Sequence, residues 1–335
     1  MSRAENLTAF LARSGFADAK RVSLTGDASS RRYERLYQGA ESWIVMDDPS
    51  EDRSGFFSFI RVADVLTRKD LSPPAIIAED HTHGFLVLED LGDAVFARDV
   101  ERDASLENSL YFAATDLLMP LHDGPEPADV PAYGPVEMAL ATYLAFLWYQ
   151  LEVKTELSDR AKTAINMLQS LLADEHVTPV LTLRDYHAEN LIWLPDRQGH
   201  RRVGLLDFQD AVASHPLYDL ISLTRDVRRD VSPELVIACL GRYAANTGQD
   251  IKMLEPSAAL IAVQRNLRIL GVFARLSRLY QKPQYVDLIP RVWRMLMEDL
   301  SNPALHPLRD VLVPLLPDPT PEFLNKLKVP CPTPS

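Results

Sequence analysis

The first third of the chain alternates short runs of β-forming residues with polar turns, which is typical of a mostly antiparallel sheet. We predict five strands there, at residues 20–25, 32–38, 42–47, 75–79 and 84–89. Between the third and fourth strands, apolar residues that include Phe56, Phe59 and Leu66 recur at spacings of three and four, and they predict a helix packed on the sheet. A short amphipathic helix at residues 7–14 precedes the first strand.

Beyond Gly92 the apolar residues follow a helical period instead. Predicted helices cover residues 106–121, 135–151, 157–173, 218–227, 233–246, 256–281 and 289–300. Strand-like stretches at 180–184, 190–194 and 202–207 interrupt them, and the last thirty or so residues form a proline-rich wrap or tail. The pattern therefore predicts an α+β chain with a small β-rich N-lobe, residues 1–91, and a larger helical C-lobe, residues 92–335.

Composition and charge exclude several classes of protein. The 335 residues carry a net charge of −12 and a pI near 5.2, which argues against a broad nucleic-acid-binding surface, because lysine and arginine hold phosphate backbones. The two cysteines, Cys239 and Cys331, imply no disulfide framework and favour a reducing cytoplasm. The polar N-terminus lacks the apolar core of a signal peptide, and we expect no apolar run of membrane-spanning length. A soluble cytoplasmic protein is expected.

The most informative chemistry lies in two apolar segments that each lead to acidic residues. Asp185 is followed five residues later by Asn190, and Asp207 comes after a turn and a returning strand. Such oxygen donors suit phosphoryl transfer, in which one carboxylate accepts the proton of the acceptor hydroxyl, and an amide with a second carboxylate holds Mg²⁺ against the phosphates of ATP. We assign the first role to Asp185 and the metal to Asn190 and Asp207. Taken singly, each is as well explained as a turn or strand-end residue.

The segments around Asp185 and Asp207 both have a recognisable family pattern. Arg-Asp185-Tyr-His-Ala-Glu-Asn190 resembles the catalytic loop of the aminoglycoside phosphotransferase family, and Leu-Leu-Asp207-Phe-Gln-Asp-Ala resembles its metal-binding segment. The resemblance implies a bilobal protein-kinase-like fold that uses ATP and Mg²⁺. Pro216-Leu-Tyr-Asp219-Leu resembles the family motif whose aspartate braces the catalytic loop, although Asp219 also suits the start of any helix.

Further segments narrow the resemblance to a cell-wall-recycling branch of that family. They are Gly26-Asp-Ala-Ser-Ser-Arg-Arg32-Tyr, Trp43-Ile-Val-Met46-Asp-Asp-Pro49, residues 84–92 and Phe146-Leu-Trp148-Tyr149. The resemblance implies an ATP-dependent kinase of the anomeric (C1) hydroxyl of N-acetylmuramic acid and N-acetylglucosamine in peptidoglycan recycling. The partner is then the small amino sugar, with no nucleic acid, membrane or obligate protein partner. A kinase of another hydroxylated metabolite, such as an aminoglycoside or a choline-like compound, and a non-catalytic nucleotide-binding regulator are the alternatives.

The nucleotide is expected to lie against the β-rich lobe. Gly26 and Ser29 belong to a small-residue turn between two strands, where backbone N–H groups can approach phosphates closely, although a plain hairpin looks the same. Glu89 and Leu91 lie where the sheet gives way to helices. Main-chain atoms at such a hinge can bind adenine, and a plain interlobe linker is the alternative.

One position departs from the usual kinase plan. Kinases place a phosphate-binding lysine on the third strand, where this chain has Met46. Arg31, Arg32 or Arg35 on the neighbouring strand is the candidate replacement, and we favour Arg32, because a guanidinium binds phosphate oxygens in pairs. The alternative for each arginine is a solvated charge at a strand edge.

Two residues of the helical region are candidates for contact with the sugar. Trp148 can stack on a sugar ring, but an aromatic residue on an apolar helix can equally belong to the core. Arg225 can bind a lactyl carboxylate, but it can equally be a surface charge on a helix.

Overall fold

The computed structural model describes residues 2–24, 31–124, 130–150 and 156–331. The chain divides into two compact units. Unit 1 comprises Met1–Leu121 and Leu183–Ala211, and unit 2 comprises His122–Thr182 and Val212–Ser335. All three predicted catalytic residues, Asp185, Asn190 and Asp207, therefore belong to unit 1. The lobe boundary at residue 91 stays a prediction.

The described residues contain nine short strands. Their bounds are β1 (Lys20–Leu24), β2 (Arg32–Gln38), β3 (Glu41–Asp47), β4 (Ile76–Asp80), β5 (Phe85–Glu89), β6 (Val180–Thr182), β7 (Leu191–Trp193), β8 (Val203–Leu205) and β9 (Val212–Ser214). The first five form one antiparallel sheet in the order β1-β2-β3-β5-β4, close to the predicted segments. In unit 1 β7 pairs with β8, and in unit 2 β6 pairs with β9.

Helices fill most of the rest of the described chain. Their bounds are α1 (Arg3–Arg13), α2 (Ser54–Arg68), α3 (Phe96–Arg102), α4 (Glu107–His122), α5 (Pro135–Ala141), α6 (Tyr143–Trp148), α7 (Asp159–Asp174), α8 (Tyr218–Thr224), α9 (Pro233–Thr247), α10 (Ile251–Arg278), α11 (Ile289–Asp299), α12 (His306–Leu312) and α13 (Pro321–Leu327). The proline-rich C-terminal region is thus largely helical up to residue 327.

Several predicted helix bounds differ from the structure, and two of the differences have a clear local cause. The single helix predicted at 135–151 is interrupted at Thr142, whose hydroxyl donates a hydrogen bond to the Ala139 carbonyl at 2.6 Å. The helix predicted from residue 256 begins at Ile251, because Asp250 caps it by accepting from the Lys252 N–H at 3.0 Å. Pro256 therefore lies inside α10, in its second turn, and does not start it.

The pleat of the five-stranded sheet gives it two faces. Leu36 and Val45 are buried on one face, in a cluster that includes Leu7 of α1. Side chains alternate between faces along a strand, so Met46 lies on the other face, beside its cross-strand partner Tyr33.

The helix α10 is a core helix of unit 2. It packs against α6 and α11. By length and composition it passes as a membrane span, contrary to the expectation that no apolar run reaches that length. However, 78% of its apolar window is buried inside the structure, as in the core helix of a soluble protein. No other helix of the described residues meets these criteria.

Candidate active site

The segment that carries Asp185 begins with a strained turn. The Arg184 backbone has φ of 68°, a left-handed conformation that non-glycine residues rarely adopt. The Asp185 N–H donates to the Leu183 carbonyl at 2.8 Å, which closes the turn, and the Asp185 side chain is half-buried. Backbone strain of this kind collects at functional sites, where the surrounding structure holds it in place.

Buried neighbours fix the loop that follows. The Tyr186 hydroxyl donates to the Ala114 carbonyl of α4 at 2.8 Å, and Tyr186 is 1% exposed. His187 is buried, and its carbonyl accepts from the Asn190 N–H at 2.8 Å. The imidazole Nε2 of His187 also lies 3.3 Å from Asn190 Nδ2. These contacts make His187 part of the packing that holds the loop.

The structure brings the three predicted catalytic residues together. Asn190 Nδ2 donates to the Asp185 carbonyl at 2.9 Å and lies 3.5 Å from Asp207 Oδ2. The β7–β8 hairpin makes this possible, because the Leu206 N–H on its returning side donates to the Asn190 carbonyl at 2.9 Å. Asp207 follows with a left-handed φ of 56°, and its Oδ1 accepts from Gln209 Nε2 at 2.8 Å.

Negative charge is concentrated around Asp207. Burial of its carboxyl group raises its pKa, and although the Gln209 amide opposes this, the charges of Asp185 and Asp210 raise the pKa further. The nearby Arg31 guanidinium lowers it. The residue nevertheless remains accessible to solvent. A cation bound beside this group would relieve the repulsion among the carboxylates.

The donor set fits a hard divalent cation of the Mg²⁺ type. Carboxylate and amide oxygens are the ligands that Mg²⁺ prefers, together with water and phosphate oxygens. The Asn190 side chain contacts the loop through Nδ2. Its other polar atom, Oδ1, therefore points away from these loop contacts. Among the described residues, no group of three or more His, Cys, Asp and Glu side chains has the geometry of a protein-only metal site. The chain therefore offers two ligands, Asn190 and Asp207, and phosphate and water oxygens would supply the others.

The predicted nucleotide residues have different surroundings. Met46 is fully buried in β3, and Arg32 is exposed on β2. Gly26 and Ser29 lie outside the described residues. The roles of these residues stay predictions.

The segment after β5 is held in place by hydrogen bonds and packing. The Glu89 N–H donates to the Ala75 carbonyl at 2.8 Å, and its carboxylate binds Arg197 at 2.5 Å. Leu91 packs on Gly204 of β8, where an added Cβ would meet its Cδ1 at 3.0 Å. The Glu89 side chain and its N–H group are thus both engaged within unit 1, and the nucleotide role of Glu89 stays a prediction.

The predicted sugar residues and the predicted brace belong to unit 2. Trp148 ends α6 and is 8% exposed, which favours the core alternative. Arg225 binds the carboxylates of Asp299 and Glu298, so its charge is compensated within the unit. Asp219 is fully buried in the first turn of α8. The functional roles of all three stay predictions.

Sequence reasoning missed the neighbours of the site. Asp48 pairs with Arg31, and Gln209 orients the Asp207 carboxylate. Strand alternation contained part of this information, because Met46 lies opposite Tyr33 and residues two apart on a strand share a face. By this alternation, Arg35 and, one residue before the strand, Arg31 share the face of Met46, whereas Arg32 lies on the opposite face.

Comparison with known proteins identifies the family. A model of the phosphotransferase enzyme family matches residues 20–253, a region that includes Asp185, Asn190 and Asp207. The chain belongs to this family. Within the phosphotransferase enzyme family, it is 39% identical over 342 residues to an N-acetylmuramate/N-acetylglucosamine kinase of Caulobacter vibrioides, covering 90% of this chain and 93% of the relative. A kinase of the same name from Pseudomonas aeruginosa is 30% identical over 312 residues, which cover 89% of each protein.

Solved structures agree on the fold. Choline kinase LicA from Streptococcus pneumoniae matches with a TM-score of 0.62 and 15% identity, covering 89% of this chain and 100% of that one. The ADP-bound aminoglycoside phosphotransferase APH(2'')-Ib matches with a TM-score of 0.61 and 16% identity, covering 88% and 98%. The fold is therefore α+β and protein-kinase-like, as predicted. Family and relatives together make this phosphotransferase an ATP-dependent kinase.

Proposed function

We propose that this kinase transfers the γ-phosphoryl group of ATP to the anomeric hydroxyl of N-acetylmuramic acid and N-acetylglucosamine, in the cytoplasm and with Mg²⁺. The observation that carries the proposal is the 39% identity to the Caulobacter vibrioides N-acetylmuramate/N-acetylglucosamine kinase across nearly the whole of both chains. The contacts among Asp185, Asn190 and Asp207 support the same reaction class, because phosphoryl transfer needs a base beside oxygen ligands for a metal ion.

Asp185 is the proposed base. It orients the acceptor hydroxyl and accepts its proton as the hydroxyl oxygen forms a bond to the γ-phosphorus and the bond from that phosphorus to the ADP oxygen breaks. A hemiacetal hydroxyl is more acidic than an ordinary alcohol, so a carboxylate suffices as the base. The hydrogen bond from Asn190 Nδ2 to the Asp185 carbonyl fixes this segment relative to the metal ligands.

Asn190 and Asp207 are the proposed metal ligands. When bound, Mg²⁺ neutralises charge on the phosphates. Gln209 Nε2 donates to Oδ1 of the Asp207 carboxylate at 2.8 Å, so Oδ2 is the oxygen of this carboxylate that would be offered to the cation. The strained φ of 56° at Asp207 directs this side chain from the end of the β7–β8 hairpin.

A panel of acceptors tests the proposed reaction. ATP and Mg²⁺ are supplied with N-acetylmuramic acid, N-acetylglucosamine and N-acetylglucosamine blocked at C1 as its methyl glycoside. We expect both free sugars to be phosphorylated and the blocked sugar to be inert. Phosphorylation of the blocked sugar would place the reaction at another hydroxyl.

Choline and an aminoglycoside extend the panel to the alternatives. Transfer to either, without transfer to the free sugars, would replace the proposed substrate by another hydroxylated metabolite. ATP binding with no transfer to any acceptor would favour the regulator alternative.

A further inference from the structure

A buried arginine lies on the sheet face that carries Met46. Tyr33 is directly opposite Met46, and residues two apart along a strand share a face, so Arg35 lies on this side. Arg31 immediately precedes β2, and the same alternation, extended by one residue beyond the strand, places it on this side too. Arg32 is paired with Asp47 and therefore lies on the other side. The Arg31 side chain is only 9% exposed, and a charge this buried is normally held by a partner.

Asp48 holds this guanidinium in place. Arg31 Nε binds Asp48 Oδ2 at 3.0 Å, and the Asp48 side chain is 4% exposed. The same carboxylate accepts from the Ser50 N–H at 3.0 Å, and the Asp48 carbonyl accepts from Arg53 Nη1 at 2.7 Å. Burial would lower the pKa of Arg31, but Tyr33 and Asp48 raise it, so the guanidinium stays charged.

Helix α2 connects this arginine to the segment that carries Asp207. Arg31 Nη2 lies against Gly55 in the first turn of α2, where an added Cβ would come within 2.9 Å of it. One turn later, the Ser58 hydroxyl donates to the Gln209 carbonyl at 2.6 Å. The ring of the next residue, Phe59, stacks on Phe208 with centroids 4.7 Å apart. The guanidinium is therefore held on the side of α2 that faces the metal segment.

We propose that Arg31 is the cation that binds the phosphates of ATP, replacing the lysine that β3 lacks at Met46, and that Asp48 is its positioning residue. The inference rests on the proposed function, because it requires ATP, a nucleoside triphosphate, as the donor of the phosphoryl group. Arg35, on the same face, is bound by Asp90 at 2.7 Å and Asp93 at 2.8 Å. A guanidinium binds two phosphate oxygens at once, and a buried partner such as Asp48 orients it for that contact.

Binding of ATP and of adenosine by Arg31→Gln tests the assignment. Removal of a charge-assisted contact to the phosphates should weaken ATP binding about 10- to 100-fold. The Kd for adenosine, which has no phosphates, should stay within about 2-fold, and the KM for the sugar should not change. Arg31→Lys should recover part of the ATP affinity, because it restores the charge without the fork.

Three further variants extend the test: one for the rival arginine, one as a control, and one that disturbs Arg31 indirectly. Arg32→Gln tests the arginine that the sequence had favoured, and Arg68→Gln removes an exposed arginine of α2 that pairs only with Asp64 among the described residues. We expect the ATP affinity of Arg68→Gln to equal that of the wild type. Gly55→Ala should weaken ATP binding a few-fold, because its Cβ displaces the Arg31 guanidinium.

Three results would overturn the assignment. They are unchanged ATP affinity in Arg31→Gln, an equal loss for ATP and adenosine, and a loss that appears in Arg32→Gln instead. If the wild type binds ATP but phosphorylates neither sugar, the proposed function fails, while the comparison of ATP with adenosine still decides the role of Arg31.

Discussion

At the scale of single residues, the site combines strained backbone with a loop that is held by side-chain hydrogen bonds. Arg184 and Asp207 are two of five non-glycine residues with positive φ in the described chain, and both adjoin the proposed chemistry. Such conformations cost free energy, and they persist where other contacts hold them. Here Tyr186 and Asn190 supply those contacts through hydrogen bonds to backbone carbonyls.

Asp185→Asn should separate catalysis from binding. The variant keeps the size of the side chain but cannot accept the proton of the hydroxyl, so we expect the rate of phosphate transfer to fall about 10²- to 10⁴-fold. The Kd for ATP should stay within about 2-fold, because the proposed nucleotide contacts belong to other residues. Asp196→Asn, which changes an exposed loop residue, is the matched control. A fully active Asp185→Asn would remove Asp185 from the role of base.

At the scale of elements, one glycine determines how closely two helices of unit 2 approach. Gly271 lies in α10, and a Cβ added there would come within 2.3 Å of the Leu144 carbonyl carbon and 2.4 Å of the Ala145 nitrogen. Both atoms belong to the backbone of α6, so a simple change of rotamer cannot make room. Close packing of α6 on α10 therefore requires the glycine.

Gly271→Ala should destabilise the protein. Overpacking against backbone should cost about 3 kcal/mol, at the upper end of the usual range, even though alanine favours the helix by about 1 kcal/mol. Gly241→Ala in α9 is the matched control, because its nearest neighbour, Ile251 Cδ1, lies at an ordinary 3.6 Å. It should stabilise by about 0.5–1 kcal/mol. Urea unfolding measures both changes, and a Gly271→Ala protein as stable as Gly241→Ala would contradict the argument.

Local patterns predicted the elements better than they predicted contacts between them. The β2 strand matches its predicted bounds, because alternation and turn residues are local signals. The break at Thr142 was missed, since the apolar pattern runs through it. The spacing of Asp185, Asn190 and Asp207 along the chain predicted that they meet, and the structure brings them together, while their roles stay predictions. The pairing of Arg31 with Asp48 depends on strand register, which the separate strand patterns do not specify.

At the scale of the whole molecule, the pH dependence of stability should contain a contribution from one buried carboxyl group. Asp299 is 4% exposed, binds Arg225 and accepts from Asn266 Nδ2 at 3.2 Å. Burial raises its pKa to about 7, although Arg225 acts in the opposite direction. The ordinary value of 3.8 applies to the unfolded chain. The folded state therefore holds this proton more tightly than the unfolded state does.

The sign of the effect follows from that difference. The contribution of Asp299 to the free energy of unfolding is fully present below about pH 4 and is lost as the pH rises to about 7. At about 1.4 kcal/mol per unit of pKa shift, the loss is on the order of 4 kcal/mol. The chain carries 47 acidic residues and 8 histidines, so the wild-type curve alone cannot reveal the contribution of this one carboxyl group.

Comparison of the wild type with Asp299→Asn isolates the contribution of Asp299, because titration of the other groups cancels in the difference between the two proteins. We expect the unfolding free energy of the wild type, relative to Asp299→Asn, to decrease between pH 4 and pH 7. Asp287→Asn, which removes an exposed carboxylate, should show no such trend relative to the wild type. If the wild type instead gains stability relative to Asp299→Asn as the pH rises, the attraction of Arg225 outweighs burial and the pKa of Asp299 is lowered. The same titration would then mark the pair as a stabilising ion pair in the interior of unit 2.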